Sequence, residues 1–178
     1  QIVRAVSPVS LALLNINAGK TSIKGFEAEF RARPTQNLSL NAGLAFTDSK
    51  YDKYYFATLA AIGMNPTLDG TRLQYVSKWQ YNLGAQYIVP VANNIKWFSR
   101  ADLSYQSDQS AVQPAFATVG SATQLNLRTG FDFEKASIRL FVNNATNEKS
   151  ALSGAFTGDP GQRYDFVRGL LGQSTPVG

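Results

Sequence analysis

Between Ile23 and Pro34 the chain reads IKGFEAEFRARP, which puts Phe26, Ala28, Phe30 and Ala32 on one side of an extended backbone and Glu27, Glu29, Arg31 and Arg33 on the other. The same period of two recurs along the chain. In LSLNAGLAF, Leu38, Leu40, Ala42, Leu44 and Phe46 oppose Ser39, Asn41, Gly43 and Ala45. YVSKWQYNLGAQYIV sets Tyr75, Trp79, Tyr81, Leu83, Ala85, Tyr87 and Val89 against Lys78, Gln80, Asn82, Gly84 and Gln86. KWFSRADLSYQ sets Trp97, Ala101, Leu103 and Tyr105 against Lys96, Arg100, Asp102, Ser104 and Gln106, with Phe98 out of step. TQLNLRTGFDF and ASIRLFVNN repeat the pattern with Leu125, Leu127, Phe131, Phe133, Ile138, Leu140 and Val142 as the apolar set. These six stretches predict β-strands. Helical periodicity is absent at comparable length, although ATLAAIGM is long enough for one helical turn.

The connections between the predicted strands alternate in length. Pro34 to Asn37, Pro90 to Asn94 and Glu134 to Lys135 are short and rich in turn residues, whereas Asp52 to Leu73, Ser107 to Ala122 and Thr146 to Gln162 are long. Short turns at one end and long loops at the other are the signature of an up-and-down barrel crossing an outer membrane. Strands of about ten residues suit a tilted crossing of hydrocarbon, while soluble strands average about 5 to 6. Tyr51, Tyr75, Trp79, Tyr87, Trp97 and Tyr105 fall near strand ends, as interfacial girdles require. The expected fold is therefore all-β, an antiparallel transmembrane up-and-down β-barrel. A soluble β-sandwich satisfies the alternation as well, with its apolar faces on a core.

In the barrel reading Phe26, Ala28, Phe30, Leu38, Leu40, Leu44, Leu83, Leu103, Leu127, Ile138 and Leu140 face lipid. Glu27, Glu29, Arg31, Asn41, Gln80, Asn82, Arg100, Asp102, Arg128 and Arg139 face the lumen. The long loops lie outside the cell and the short turns in the periplasm. Glu27 and Glu29 are then lumen-facing neighbours that Arg31 and Arg33 neutralise, not a catalytic pair, for which a cleft and perturbed acidity are needed.

Composition narrows the chemistry. The 178 residues are 44% hydrophobic with a mean hydropathy of -0.17 and no run long enough for a membrane helix, but alternation hides the hydrophobicity of a barrel from averaged scales. There is no Cys and no His, which removes thiol nucleophiles, disulfides, the common zinc sites and Ser-His-Asp catalysis. The net charge of +5 is scattered along the strands and not gathered on one face, so nucleic acid is not an expected partner. No catalytic residue, metal site or cofactor is expected. QIVRAVSPVS at the start and LLGQSTPVG at the end read as mid-element sequence, which suggests a piece of a longer polypeptide.

Three stretches resemble the TonB-dependent receptors, plugged outer-membrane barrels of Gram-negative bacteria. NAGKTSIKGFEAEFRARPTQNLSLNAGLAFTDSKY (Asn17 to Tyr51) is similar to the family's Asn-Ala-Gly, Gly-x-Glu, Pro-turn and Asp-x-x-Tyr progression. GTRLQYVSKWQYNLGAQY (Gly70 to Tyr87) resembles the Gly-x-x-Leu stretch before a Trp-x-x-Asn strand, without the Pro that often precedes that Trp. ASIRLFVNNATNEK (Ala136 to Lys149) is similar to the penultimate strand and its Asn-rich exit. The resemblance implies a barrel of about 22 strands with a plugged lumen, of which this chain is about a third. Residues 1-178 are then the carboxyl-terminal part of the barrel, with the plug and the final strand outside the chain; an isolated piece would leave open sheet edges in lipid.

What the resemblance implies for function is active import of a scarce nutrient, of the ferric siderophore, cobalamin or oligosaccharide class, across the bacterial outer membrane. The implied partners are the TonB-ExbB-ExbD energy-transducing complex, outer-membrane lipid and the transported ligand. Ligand contact is expected at Lys50, Lys53, Tyr54, Tyr55 and Phe56, because aromatics and cations at the mouth can stack on or attract such ligands; the same residues also suit an interfacial girdle. The long loops carry little net charge, so no strong field selects an anion. A passive porin or structural barrel, and a soluble carbohydrate-binding sandwich, are the alternatives.

Overall fold

The computed structural model describes residues 2–6, 13–17, 19–56, 60, 65–112, 117–150, 155–158 and 166–169. Among them the strands are β1 (Ile2–Val6), β2 (Leu13–Asn17), β3 (Lys20–Ala32), β4 (Leu38–Lys53), β5 (Trp79–Ala92), β6 (Ile95–Gln106), β7 (Gln109–Val112), β8 (Ala117–Val119), β9 (Ala122–Asp132), β10 (Ser137–Val142), β11 (Ala155–Gly158) and β12 (Phe166–Gly169). One six-stranded sheet, in the order β10-β9-β6-β5-β4-β3, dominates, and each neighbouring pair in it is antiparallel. It is a meander: each strand lies beside the strand that precedes it in the sheet. All six alternating stretches of the sequence are in it.

The register carries one apolar face across the whole sheet. Phe26 stands opposite Phe46, and Phe46 opposite Trp79. Phe30, Ala42, Leu83, Leu103 and Leu125 form another row, and Ala32, Leu40, Ala85, Ala101, Leu127 and Val142 the next. The opposite face aligns Glu29, Gly43, Asn82, Ser104 and Gln124, then Arg31, Asn41, Gly84, Asp102 and Asn126. No strand is out of phase with its neighbours, so the expected lipid-facing and lumen-facing sets each share one face. A slip of one residue at any pair would have mixed them.

The apolar face is uncovered. Leu83 is 46% exposed although β5 lies in the interior of the sheet, and Leu140 at the edge is 66% exposed. The buried hydrophobic side chains among the described residues are Tyr51, Tyr54, Phe56, Leu68, Leu73 and Val119, all beyond the long-loop end of the apolar band. A β-sandwich needs a second sheet about 10 Å away to cover that face, and the described residues supply none. Hydrocarbon covers such a face without a protein partner.

Aromatic side chains bracket this face. Phe26, Phe46 and Trp79 cluster at the long-loop end, with Phe46 and Trp79 centroids 4.6 Å apart, and Tyr81 stacks on Tyr105 at 4.6 Å. At the short-turn end Tyr87 meets Trp97 edge-on at 6.1 Å, and the Trp97 indole N–H donates to Thr129 Oγ1 at 3.0 Å. From Trp79 to Val89 the backbone advances about 33 Å, which a tilt of about 40° turns into about 25 Å of height, the thickness of a barrel's apolar band.

The short turns are all at one end. Thr35 Oγ1 accepts from the Asn37 and Leu38 amides at 3.3 and 3.1 Å; Asn94 takes a φ of 61° in the second; Phe133 N donates to Ala136 O at 2.9 Å across the third. The second is tighter than the expected Pro90 to Asn94, because the strands pair as far as Ala92 and Ile95, past an irregularity between Pro90 and Ala92.

The loops differ more. β4 continues to Lys53, well past Phe46, since Lys20 to Gly25 of β3 go on pairing with it. The apolar alternation stops earlier, and Asp48, Lys50 and Asp52 take over the face that Phe46 ends. Residues Tyr75 to Lys78, expected in a strand, lie outside β5; Tyr75 has a φ of 55°, which breaks an extended run. Ser107 to Ala122 contains the β7-β8 pair, and β11 falls within Thr146 to Gln162. The helical turn expected at ATLAAIGM lies, apart from Ala60, outside the described residues.

Phe98, the aromatic out of step, is on the polar face in the row Phe98, Gly130, Arg139. Gly130 leaves room for the Phe98 ring, whose Cε1 would lie 3.0 Å from an added Cβ, and the Arg139 guanidinium lies over that ring, 4.3 Å from its centroid. Two other glycines are matched to asparagines on the facing strand. Asn41 lies over Gly84, and Asn82 lies over Gly43, where an added Cβ would sit 2.8 Å from Asn82 Nδ2.

Candidate functional site

The polar face is lined with hydrogen-bonding groups at two levels. Nearer the long loops, Glu27, Glu29, Gln80, Asn82, Gln106 and Gln124 border an open hollow of about 450 Å³. Nearer the short turns, Arg31, Arg33 and Arg100 border a second of about 630 Å³, with Ser39 and Asn41 beside them. Arg100 is held by Asp102 through two hydrogen bonds of 2.7 and 2.5 Å and by Gln86 Oε1 at 3.3 Å. Arg31 reaches Glu29 at 3.4 Å with both side chains solvent-exposed, a geometry worth under about 1 kcal/mol. Arg139 pairs with Asp132. Among the described residues of this face the charged groups pair with one another and with amides, and no hydroxyl is hydrogen-bonded to a carboxylate.

At the long-loop end the two loops that flank β5 and β6 are tied together. Arg72 donates to Asp108 Oδ2 and to the Asp108 carbonyl, each at 2.7 Å, and Tyr75 N donates to Ser110 O at 2.7 Å. Ser107 Oγ accepts from the Lys78 and Trp79 amides at 3.0 and 3.1 Å, while buried Ser77 donates to Ser107 O at 3.0 Å. A third knot follows β10. Asn144, fully buried with a φ of 51°, accepts from the Glu148 amide at 2.8 Å and donates to the Glu148 carbonyl at 3.0 Å. Glu148 in turn accepts from the Ser150 hydroxyl at 2.6 Å and the Thr123 amide at 3.0 Å; these bonds hold its carboxyl below the ordinary glutamate range.

The five residues expected to meet ligand begin within β4 and continue into its loop, and alternation divides them. Tyr54 and Phe56 turn inward, 3% and 6% exposed, in a stack with Tyr51 whose successive centroids are 4.7 and 6.1 Å apart. Their backbones are fixed as well: Tyr54 N donates to Asp69 Oδ1 at 2.9 Å, and Phe56 N to Pro66 O at 2.8 Å. Tyr55 points outward at 63% exposure. Lys53 is exposed, and Lys50 Nζ lies 3.2 Å from Asp48 Oδ2. Tyr55, Lys50 and Lys53 are thus presented to solvent at the rim, while Tyr54 and Phe56 support it. The Arg72–Asp108 tie carries no sequence signal, being two single residues far apart in the chain. The Asn144 knot has one, in the paired asparagines of VNNATNEK.

An open antiparallel meander with a bare apolar face, aromatic girdles, a wet opposite face and all its short turns at one end is a section of transmembrane β-barrel wall. Residues 1–145 match the family model described as TonB dependent receptor-like, beta-barrel, and the chain belongs to that family. Among solved structures it is similar to BauA, the ferric preacinetobactin receptor from Acinetobacter baumannii, with a TM-score of 0.64 and 18% identity. That match covers 99% of this chain and 24% of BauA, so the chain spans about a quarter of its structural relative.

Proposed function

We propose that this chain forms part of the wall and outer rim of a TonB-dependent receptor that imports a scarce, bulky nutrient across the bacterial outer membrane. The observation that carries the reading is the phase of the sheet: six strands keep one face apolar and the other polar, and among the described residues no layer packs on either. Family membership and the likeness to a ferric preacinetobactin receptor support it. The long loops face outward and the short turns face the periplasm. A domain upstream plugs the lumen, and the TonB-ExbB-ExbD complex supplies the energy. The ligand is of the ferric siderophore, cobalamin or oligosaccharide class, and it meets Tyr55, Lys53 and Lys50 at the rim, where the Tyr54 and Phe56 stack fixes the backbone that presents them. Uptake by cells that carry the complete receptor as their sole route tests the reading. Accumulation that stops when the proton gradient is collapsed supports it; accumulation that persists marks a passive pore instead.

A further inference from the structure

The loop after β4 folds against Tyr51, whose ring is fully buried. Its two described arms, 51–56 and 65–73, are laced together by backbone bonds. Tyr51 N donates to Thr71 O at 2.9 Å, Gly70 N to Tyr51 O at 2.7 Å, Leu68 N to Tyr54 O at 2.9 Å and Phe56 N to Pro66 O at 2.8 Å. Inside them the Tyr51 ring stacks on Tyr54, and Tyr54 on Phe56. The Tyr51 hydroxyl stands apart from this order. It is the single buried side-chain nitrogen or oxygen among the described residues that has no hydrogen-bond partner. Elsewhere at this end of the sheet buried polar side chains are bonded, as Ser77 is to Ser107 and Asn144 to Glu148. A phenylalanine would supply the same stack and the same apolar burial, so the hydroxyl only penalises the closed loop. Once the arms separate, water hydrates it and the penalty disappears.

We propose that Tyr51 is a built-in release for this loop: its unbonded phenol biases the two arms toward separating, so that the rim yields while the wall below it stays intact. Leaving one buried hydroxyl unsatisfied weights the opening equilibrium by about 5- to 150-fold. The opening is local. Tyr51 itself remains in the β3-β4 ladder, opposite Thr21, so the arm that moves is the one beyond it. The returning arm is held at its end by Arg72, through its two bonds to Asp108. Tyr55 is carried between Tyr54 and Phe56 on the moving arm, so the release acts on the residue that meets the ligand; in this it rests on the reading of the loop as the rim of an importing receptor.

Amide hydrogen exchange of the complete receptor in detergent reads the opening directly. Tyr51→Phe should slow exchange at Phe56 and Leu68 by about 5- to 150-fold and leave Leu83, inside the sheet, unchanged. Tyr55→Phe removes a hydroxyl from a side chain already in solvent and should change none of the three. Unchanged exchange at Phe56 and Leu68 in Tyr51→Phe overturns the proposal. Faster exchange overturns it too, by showing that the phenol is hydrogen-bonded in the complete receptor, to a held water or to a group outside this segment. Resistance of the barrel to heat in detergent verifies that both variants are folded. In cells, Tyr51→Phe should lower the rate of uptake several-fold, and slowed exchange with uptake at the parent rate overturns the role in admitting ligand. A parent receptor whose uptake persists after the proton gradient is collapsed sinks the importing reading itself, while the exchange result still decides whether Tyr51 biases the loop.

Discussion

Arginine in place of Leu103 puts a guanidinium near the middle of the apolar band, in the row of Leu83 and Leu125 about halfway between the aromatic clusters. At that depth on a lipid-facing strand a cation costs about 2 to 4 kcal/mol, or about 30- to 700-fold in the folding equilibrium. Ser104, the next residue, points to the polar face at the same height, so Ser104→Arg should cost little. A third variant separates lipid from a protein core. Leu103→Trp overfills a packed interior at a cost of about 1 to 3 kcal/mol, whereas fluid hydrocarbon yields to the larger ring. Urea titration of the complete receptor folding into lipid vesicles measures all three. The expected order is a large loss for Leu103→Arg and near-parent stability for the other two. Equal losses for Leu103→Arg and Ser104→Arg would refute the assignment of faces, and a loss above about 1 kcal/mol for Leu103→Trp would show that protein covers that face.

Four other outcomes follow from the loop end. Tyr55→Ala should weaken uptake several-fold with the amount of folded receptor unchanged, since a stacking or cation-π contact is worth about 0.5 to 2 kcal/mol; unchanged uptake would leave Tyr55 without a ligand role. Phe56→Ala should instead loosen the loop, seen as faster protease cleavage near Pro66. Asp108→Ala should raise amide exchange at both Tyr75 and Thr71, because the Arg72 tie spans the two loops, while changing global stability by under about 1 kcal/mol for a pair this exposed; exchange that rises in one loop alone would show that they move independently. The folded state holds the Glu148 carboxyl below its unfolded value, so its contribution is present above the ordinary carboxylate range and is lost as pH falls through the lowered folded value. Protection of the Thr123 amide should follow that acid loss, and Glu148→Gln should flatten the dependence.

The strands and their faces were legible because the environment on each face is uniform. Water on one side and hydrocarbon on the other impose a period of two within each of the six strands, broken on the polar face by Phe98. The same logic explains where strand ends were misplaced. Alternation marks the limits of the apolar band, not of the hydrogen-bond ladder, and β4 pairs onward into water after Phe46. Phe98 looked anomalous because its partners, Gly130 and Arg139, are on other strands and are adjacent only once the register is fixed. At the rim, composition identified an aromatic and cationic cluster but not which members turn inward. That depends on Tyr51 and on the return of the chain through Pro66 and Leu68, where Leu68 N donates to Tyr54 O at 2.9 Å.

The two asparagine-glycine matches between β4 and β5 exclude an error that hydrophobicity cannot detect. Sliding these strands by two residues preserves which side chains meet lipid, so the solvent on either face is indifferent to it. In the native register Asn41 covers Gly84 and Asn82 covers Gly43. Slid one way, the two asparagines face each other and crowd; slid the other way, the two glycines face each other and leave a gap, while Asn82 meets the Cβ of Ala45. The pairs act as a lock whose wards fit in a single position. A strand entering the membrane beside its neighbour can therefore be rejected for being out of step even when every greasy residue is on the correct side.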